Sequence, residues 1–291
     1  MKVRTLLFIL LSTSFSFILQ AQSLSHQVMA SGGTSTSNGG YSIAYTIGES
    51  VTTTISAGNN ILTQGFHQPD LEMIVKLLAK VYLEGPYNGA GMNTILQSMP
   101  PVFPNVQPYN GAPWNYNGGE NLVSVPANAV DWLLIELRDN AFNPVPGGKR
   151  AAVLLADGSL RDIDGTPGAS FIGTVPGNYY IIVRHRNHLA VMSASQIAIP
   201  NGAAYDFTIS ATQATGSGQL KELNPGIFGL FAGDMNADGV LSVADFNFYL
   251  LSSGVNVYND ADLNLDKQIT VGDFNLYQPN ASVIGIQQIR Y

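Results

Sequence analysis

At 291 residues, with 45% hydrophobic and only 11% charged side chains, a net charge of −7 and no cysteine, the chain excludes several classes of protein at once. No basic run marks a nucleic-acid footprint, and without a thiol neither a disulfide framework nor lipid attachment at cysteine is available. The length suits one or two domains with cores of their own plus a small module.

Residues 1–22 read as an export signal. Lys2 and Arg4 precede an apolar core from Leu6 to Leu19, and Ala21-Gln22 forms a small-residue cleavage zone. Serine and threonine interrupt that core, and it falls short of the ~20 apolar residues that span a bilayer. The expected location is secreted or at the outer cell surface, with no membrane span after cleavage. Residues 23–70 follow as a small β leader segment. Tyr41, Ile43, Tyr45 and Ile47 alternate on one face, and Gly58-Asn59-Asn60 is a turn between strands at Val51–Ile55 and Ile61–Phe66.

Residues 71–223 are expected to form a mainly β domain, an antiparallel β-sandwich of Ig-like type. Lys76–Leu83 is its first strand. The stretch from Glu84 to Asn121 is then a long loop rich in Pro, Gly and Asn. Its aromatics either stack on the apolar face of a sugar or pack down as a lid over the sheet. Tyr87, Tyr109, Trp114 and Tyr116 are the candidate glycan-binding set, with Phe103 beside them. Val130–Leu137 is almost continuously apolar, which predicts a central strand buried on both faces. Asp157-Gly158 predicts a tight hairpin between Ala151–Ala156 and Ser159–Ile163. Asn178–Arg184, Leu189–Met192 and Ala204–Ile209 are further strands, and Gln213–Pro225 is a link to the last module.

No active site can be assembled from these segments. Ser217, in Gly216-Ser217-Gly218, lacks the strand-turn-helix setting of a hydrolase nucleophile. Asp162 and Asp164 share one strand face, the placing of a glycosidase pair, of calcium ligands or, most often, of a solvated hairpin edge. Arg184-His185-Arg186-Asn187-His188 is the densest polar cluster: its histidines could offer nitrogens to a metal and its arginines could grip a carboxylate or sulfated glycan. In an extended strand, however, the two histidines point to opposite faces unless a turn intervenes, so it reads as a structural strand end. The expectation is a protein that is not an enzyme.

Residues 224–291 carry the chain's clearest motif, a twelve-residue loop written twice. Asp234, Asn236, Asp238, Ser242 and Asp245 hold positions 1, 3, 5, 9 and 12 of the first copy. Asp262, Asn264, Asp266, Thr270 and Asp273 hold them in the second. Oxygen donors at these positions, with the backbone carbonyls of Val240 and Gln268 at position 7, suit Ca²⁺, which takes 6–8 oxygen ligands. Two calcium ions are expected. Position 6 makes the sharp turn and is Gly239 in one loop and Lys267 in the other, so the first loop should bind more tightly. Leu241 and Ile269 at position 8 suit a short strand pairing the two loops. Phe246, Tyr249, Phe274 and Tyr277 recur in the tails after the loops and should form a small core.

These loops resemble a type I dockerin repeat, with Asp at position 12 and a single helix after each loop. Where dockerins often carry a hydroxyl pair that contacts cohesin, this chain has Val243-Ala244 and Val271-Gly272. The resemblance implies calcium binding, and leaves a cohesin-like partner as an expectation only. A wider likeness rests on Val81-Tyr82-Leu83-Glu84-Gly85-Pro86-Tyr87, on Gln107-Pro108-Tyr109-Asn110-Gly111-Ala112-Pro113-Trp114, on Val130–Arg138 and on Arg184–Leu189. Together these resemble haemagglutinin-like secreted surface proteins of Bacteroidetes-type bacteria. That likeness implies a non-enzymatic adhesion or assembly protein whose partner is a surface protein or a glycan. The alternative it leaves open is a carbohydrate-binding protein associated with polysaccharide degradation.

Overall fold

The structure is a computed structural model that describes residues 32–38, 41–47, 55–57, 60–62, 73–98, 103–140, 142–255 and 257–291. The expected export signal lies outside the described residues. The chain divides into two compact units, Met1–Leu71 and Glu72–Tyr291.

In the first unit, β1 (Gly32–Asn38) and β2 (Tyr41–Ile47) form an antiparallel pair running from Gly32 opposite Ile47 to Asn38 opposite Tyr41. β3 (Ile55–Ala57) pairs with β4 (Asn60–Leu62). The alternation at 41–47 thus reads correctly as a strand. Of the expected strands at 51–55 and 61–66, only Ile55, Ile61 and Leu62 fall among the described residues.

The second unit is built on a mixed set of short strands: β5 (Ile74–Leu77), β6 (Ala79–Lys80), β7 (Ala129–Arg138), β8 (Pro144–Leu155), β9 (Leu160–Arg161), β10 (Ala169–Ile172), β11 (Gly177–Arg184), β12 (Val191–Met192), β13 (Ile197–Ile199), β14 (Tyr205–Asp206), β15 (Lys221–Asn224) and β16 (Ile227–Gly229). The main sheet runs β12-β11-β7-β8-β9, with β13 also on β11. β7 is its centre, paired antiparallel to β8 and β11. Every β7 residue but Arg138 is buried, because the strand has neighbours on both edges and packed layers on both faces. The Asp157-Gly158 hairpin joins β8 to β9 as expected, with Gly158 at φ 85°, where a Cβ would be strained. β5 pairs with β10, and β6 runs parallel to β14. The unit is mainly β, and its strand pairs other than β6–β14 are antiparallel.

The long loop packs down as a lid. Phe103, Tyr109, Trp114 and Leu122 join the main core around Trp132. The Tyr109 hydroxyl donates to the Trp132 carbonyl at 2.7 Å, and the Trp132 indole N–H donates to the Pro104 carbonyl at 2.8 Å. Where a link was expected at 213–225, the chain forms β15 and the turn into β16, and Leu220 is buried. Among the described residues no helix is long and apolar enough to cross a membrane.

Two helices follow, α1 (Val243–Ser252) and α2 (Val271–Tyr277). Phe246, Tyr249 and Phe274 pack on a second small core of Ala232, Met235, Ala261, Leu263, Ile269 and Tyr277. Their rings meet at 5.7 Å for Phe246 and Phe274, and at 6.3 Å for Phe246 and Tyr277. Ala237 and Leu265, at position 4 of the two loops, belong instead to the main core of the β-sheets.

Candidate metal centre

Both twelve-residue segments fold into the same turn, with one difference: the Asp266 N–H donates to Asp262 Oδ1 at 3.1 Å, while the equivalent Asp234 Oδ1 has no such bond. The position-1 carboxylate accepts the position-6 N–H: Gly239 N to Asp234 at 3.1 Å, and Lys267 N to Asp262 at 2.9 Å. The position-5 carboxylate accepts the position-7 N–H, at 2.8 Å in each copy, and the amide of Asn236 or Asn264, at 2.9 Å in each copy. Position 12 closes the loop. One oxygen of Asp245 accepts the N–H groups of Met235 and Asn236, and its other oxygen accepts that of Ser242; Asp273 repeats this with Leu263, Asn264 and Thr270. Ser242 and Thr270 in turn cap α1 and α2 in reciprocal capping boxes, each satisfying orphan donors at a helix start.

Backbone conformation repeats as well. Position 4 has a positive φ in both loops (Ala237 56°, Leu265 57°), and so does position 6 (Gly239 82°, Lys267 75°). Glycine adopts this region without penalty, whereas a lysine there costs roughly 1–2 kcal/mol. Position 8 corrects an expectation. Leu241 and Ile269 do not pair with each other. Leu241 exchanges hydrogen bonds with Ser282 and Val283, beyond α2, and Ile269 does so with Gly254 and Val255, beyond α1. Each loop is thus clamped by the segment that follows the other repeat's helix.

The electrostatics suit a cation. Burial, then the neighbouring Asp245 and Asp238 carboxylates, push Asp234 up to about 8. Burial also pushes Asp262 up, to about 7, against the opposing Arg186 charge. Asp245 and Asp273 are raised by burial too. The buried Asp234 Oδ1 atom has no hydrogen bond of ordinary length, with only the Asp238 N–H near it, whereas its counterpart Asp262 Oδ1 accepts the Asp266 N–H at 3.1 Å. A buried carboxylate oxygen left short of partners is costly unless something else satisfies it. Among the described residues no three His, Cys, Asp or Glu side chains are already drawn together as a metal cage. The donors of each loop are carboxylate, amide, hydroxyl and carbonyl oxygens. An all-oxygen set of that kind fits a hard divalent ion, and the undersatisfied Asp234 oxygen fits a ligand position.

The Arg184–His188 cluster anchors these loops to the sheet. β11 ends at Arg184, so the following residues turn instead of alternating. The rings of His185 and His188 meet, Nδ1 to Nδ1, at 3.0 Å. Opposite faces held only for a continuous strand, and the turn after Arg184 brings the two rings together. Arg186 donates to Asp131 at 2.8 Å and to the Asn259 carbonyl, and lies over the Tyr258 ring at 4.2 Å. Arg184 bonds Glu136 and the Ile289 carbonyl, and stacks on Tyr291.

His188 Nε2 accepts the Gly85 N–H at 3.2 Å, which leaves the proton of the neutral ring on Nδ1. Burial lowers the His185 and His188 values, and for His188 the nearby His185 and Arg186 lower it further. A buried histidine held neutral makes the fold less stable as pH drops below about 6.5, where the unfolded chain takes the proton and the folded one does not. With saturating calcium, the urea midpoint should therefore fall between pH 7.5 and 5.5. His188→Gln should flatten that fall, and parallel curves for the two proteins would contradict this.

The candidate glycan residues do not converge on a stacking surface. Tyr109 is fully buried and Trp114 is 9% exposed, edge-on to it at 5.2 Å. Tyr116 is half-buried with its hydroxyl on Glu120 at 2.5 Å, and Tyr87 is half-buried against Tyr82. Tyr109 and Trp114 are too buried to stack on a sugar, and this part of the loop packs as a lid on the core. Asp162 is held by Arg150 at 2.7 Å, and Asp164 by Thr166 at 2.6 Å. Both belong to turn structure.

No protein-family model matches the chain, and no curated protein matches it. Solved structures similar to part of it include two type II cohesin–X-dockerin complexes from Acetivibrio cellulolyticus. One, an N-terminal interface mutant, is 15% identical and covers 53% of this chain and 82% of that chain, at a TM-score of 0.31. The other, a C-terminal interface mutant, is 18% identical over the same shares, at a TM-score of 0.29. A likeness at this level assigns neither activity nor partner.

Proposed function

We propose that the protein is an exported, calcium-binding, non-enzymatic protein for adhesion or assembly outside the cell. On this reading an Ig-like β-sandwich is closed at one end by a dockerin-like pair of loop-helix repeats. The partner would be a surface protein. Asp234, Asn236, Asp238, Ser242 and Asp245, with the Val240 carbonyl, would hold one ion. Asp262, Asn264, Asp266, Thr270 and Asp273, with the Gln268 carbonyl, would hold the other. The observation that carries this reading is the buried Asp234 oxygen, left short of partners in a loop whose twin repeats its other hydrogen bonds. Calcium supplies the positive charge that lets crowded buried carboxylates ionise. The bound ions then favour the folded loops by mass action.

Calorimetric titration of Asp234→Ala and Asp262→Ala tests the assignment. Each should remove one site. The site left in Asp262→Ala should be the tighter, by roughly tenfold, since Gly239 accepts the left-handed turn that strains Lys267. Equal affinities would refute the ranking, and two sites remaining in either variant would refute the ligand assignment.

A further inference from the structure

We infer that the β-domain sets the calcium affinity of the second loop through a three-point cradle for its backbone, with Asn93 and Asn187 as positioning residues. The inference rests on the calcium reading above and names residues that touch no ion. Consecutive carbonyls at the start of the loop each face the β-domain. The Asp262 carbonyl accepts the Asn187 amide at 2.7 Å, and the Asn264 carbonyl accepts the Asn93 amide at 2.9 Å. Between them the Leu263 carbonyl lies against Gly85 so closely that a Cβ on that glycine would sit 1.8 Å from its oxygen. Positions 1 and 3 carry ligand side chains, so fixing the carbonyls of the same residues fixes where those side chains start.

The cradle is itself rigid. Asn187 is fully buried and its carbonyl oxygen accepts from His188 Nδ1 at 2.7 Å. Its backbone carbonyl also accepts the N–H of Gly233 at 3.0 Å, the residue before the first loop. Asn93 is tied by its own N–H to the Pro86 carbonyl at 2.9 Å, and its side-chain oxygen accepts the Ile95 N–H at 3.2 Å. Leu265, at position 4, completes the grip by entering the main core with its backbone at φ 57°. A loop ordered in advance loses less freedom when it closes on a ligand, and so binds more tightly. The cradle therefore offsets part of the strain at Lys267.

Asn93 is partly exposed, so Asn93→Ala should fold. Calcium is titrated into the full protein carrying this change, in the wild-type background and with Asp262→Ala to isolate the first site. Second-site affinity should fall roughly three- to tenfold, the usual worth of one net hydrogen bond, while the first site keeps its affinity. Gly85→Ala should weaken the second site more, because the Leu263 carbonyl must move. Two outcomes would overturn the inference with the calcium reading intact: Asn93→Ala titrating like the wild type, or both sites weakening equally. A lower melt in chelator with unchanged calcium affinity would mean a merely structural role, and would overturn it too. A wild-type protein that takes up no calcium would instead sink the calcium reading on which the cradle depends.

Discussion

Replacing Arg186 by leucine should destabilise the second unit by about 3–5 kcal/mol, the usual loss when one partner of a buried ion pair is removed. Arg186 and Asp131 are both fully buried and 2.8 Å apart. Burial alone would raise the Asp131 carboxyl. The Arg186 charge and the hydrogen bonds from His185 and Tyr258 outweigh it and hold the group well below the usual carboxylate range. A depressed carboxyl contributes stability above its unfolded value, near 3.9, and loses it only as pH falls towards the folded value. The pair therefore stays charged throughout ordinary conditions. Without Arg186, Asp131 is left as an uncompensated buried charge, and the Asn259 carbonyl and the Asp260 carboxylate lose a donor as well. The thermal midpoint should drop by roughly 10 °C, in calcium and in chelator alike. Replacing Asp131 by leucine in the same protein should restore part of the loss, since an apolar pair leaves no orphaned charge. A single-variant loss under 1 kcal/mol would refute this account of the cluster.

The loops were legible because their chemistry is local. Ligand spacing, the glycine at 239 and the hydroxyl caps at Ser242 and Thr270 each lie within their own twelve-residue loop, and the folded turns follow that spacing. The central strand was legible for a similar reason, its apolar run from Val130 to Leu137. What the loops rest on was not legible. Asn93 and Asn187 lie far along the chain from the loop they hold, and an isolated asparagine in a turn announces nothing about a distant carbonyl. The aromatic loop left two readings open, because composition alone cannot separate a ring that faces solvent from one that fills a core. Tyr109 and Trp114 are the particular cases. The histidine cluster was legible as a strand end, but the meeting of the two rings depends on the turn after Arg184, where β11 stops. The partners of Leu241 at Ser282 and Val283, and of Ile269 at Gly254 and Val255, lie in segments after the helices that carry no motif of their own.

Calcium should stabilise the whole second unit and not the loops alone. Ala237 and Leu265 sit in the main core, Asn187 joins the starts of both loops, and Arg184 holds the Ile289 carbonyl beyond them. A unit knitted in this way has no seam at which the loops can melt separately. With calcium a hundredfold above Kd, each site adds about 2.7 kcal/mol, so two sites raise the midpoint by roughly 10–20 °C. The most direct test is a thermal melt of the full protein, in calcium and in chelator, followed both by β-sheet signal and by the fluorescence of Trp114 and Trp132, both of which lie in the second unit. The account predicts one transition, the same by both probes, moved upward as a whole by calcium. Superimposable melts with and without calcium would contradict it.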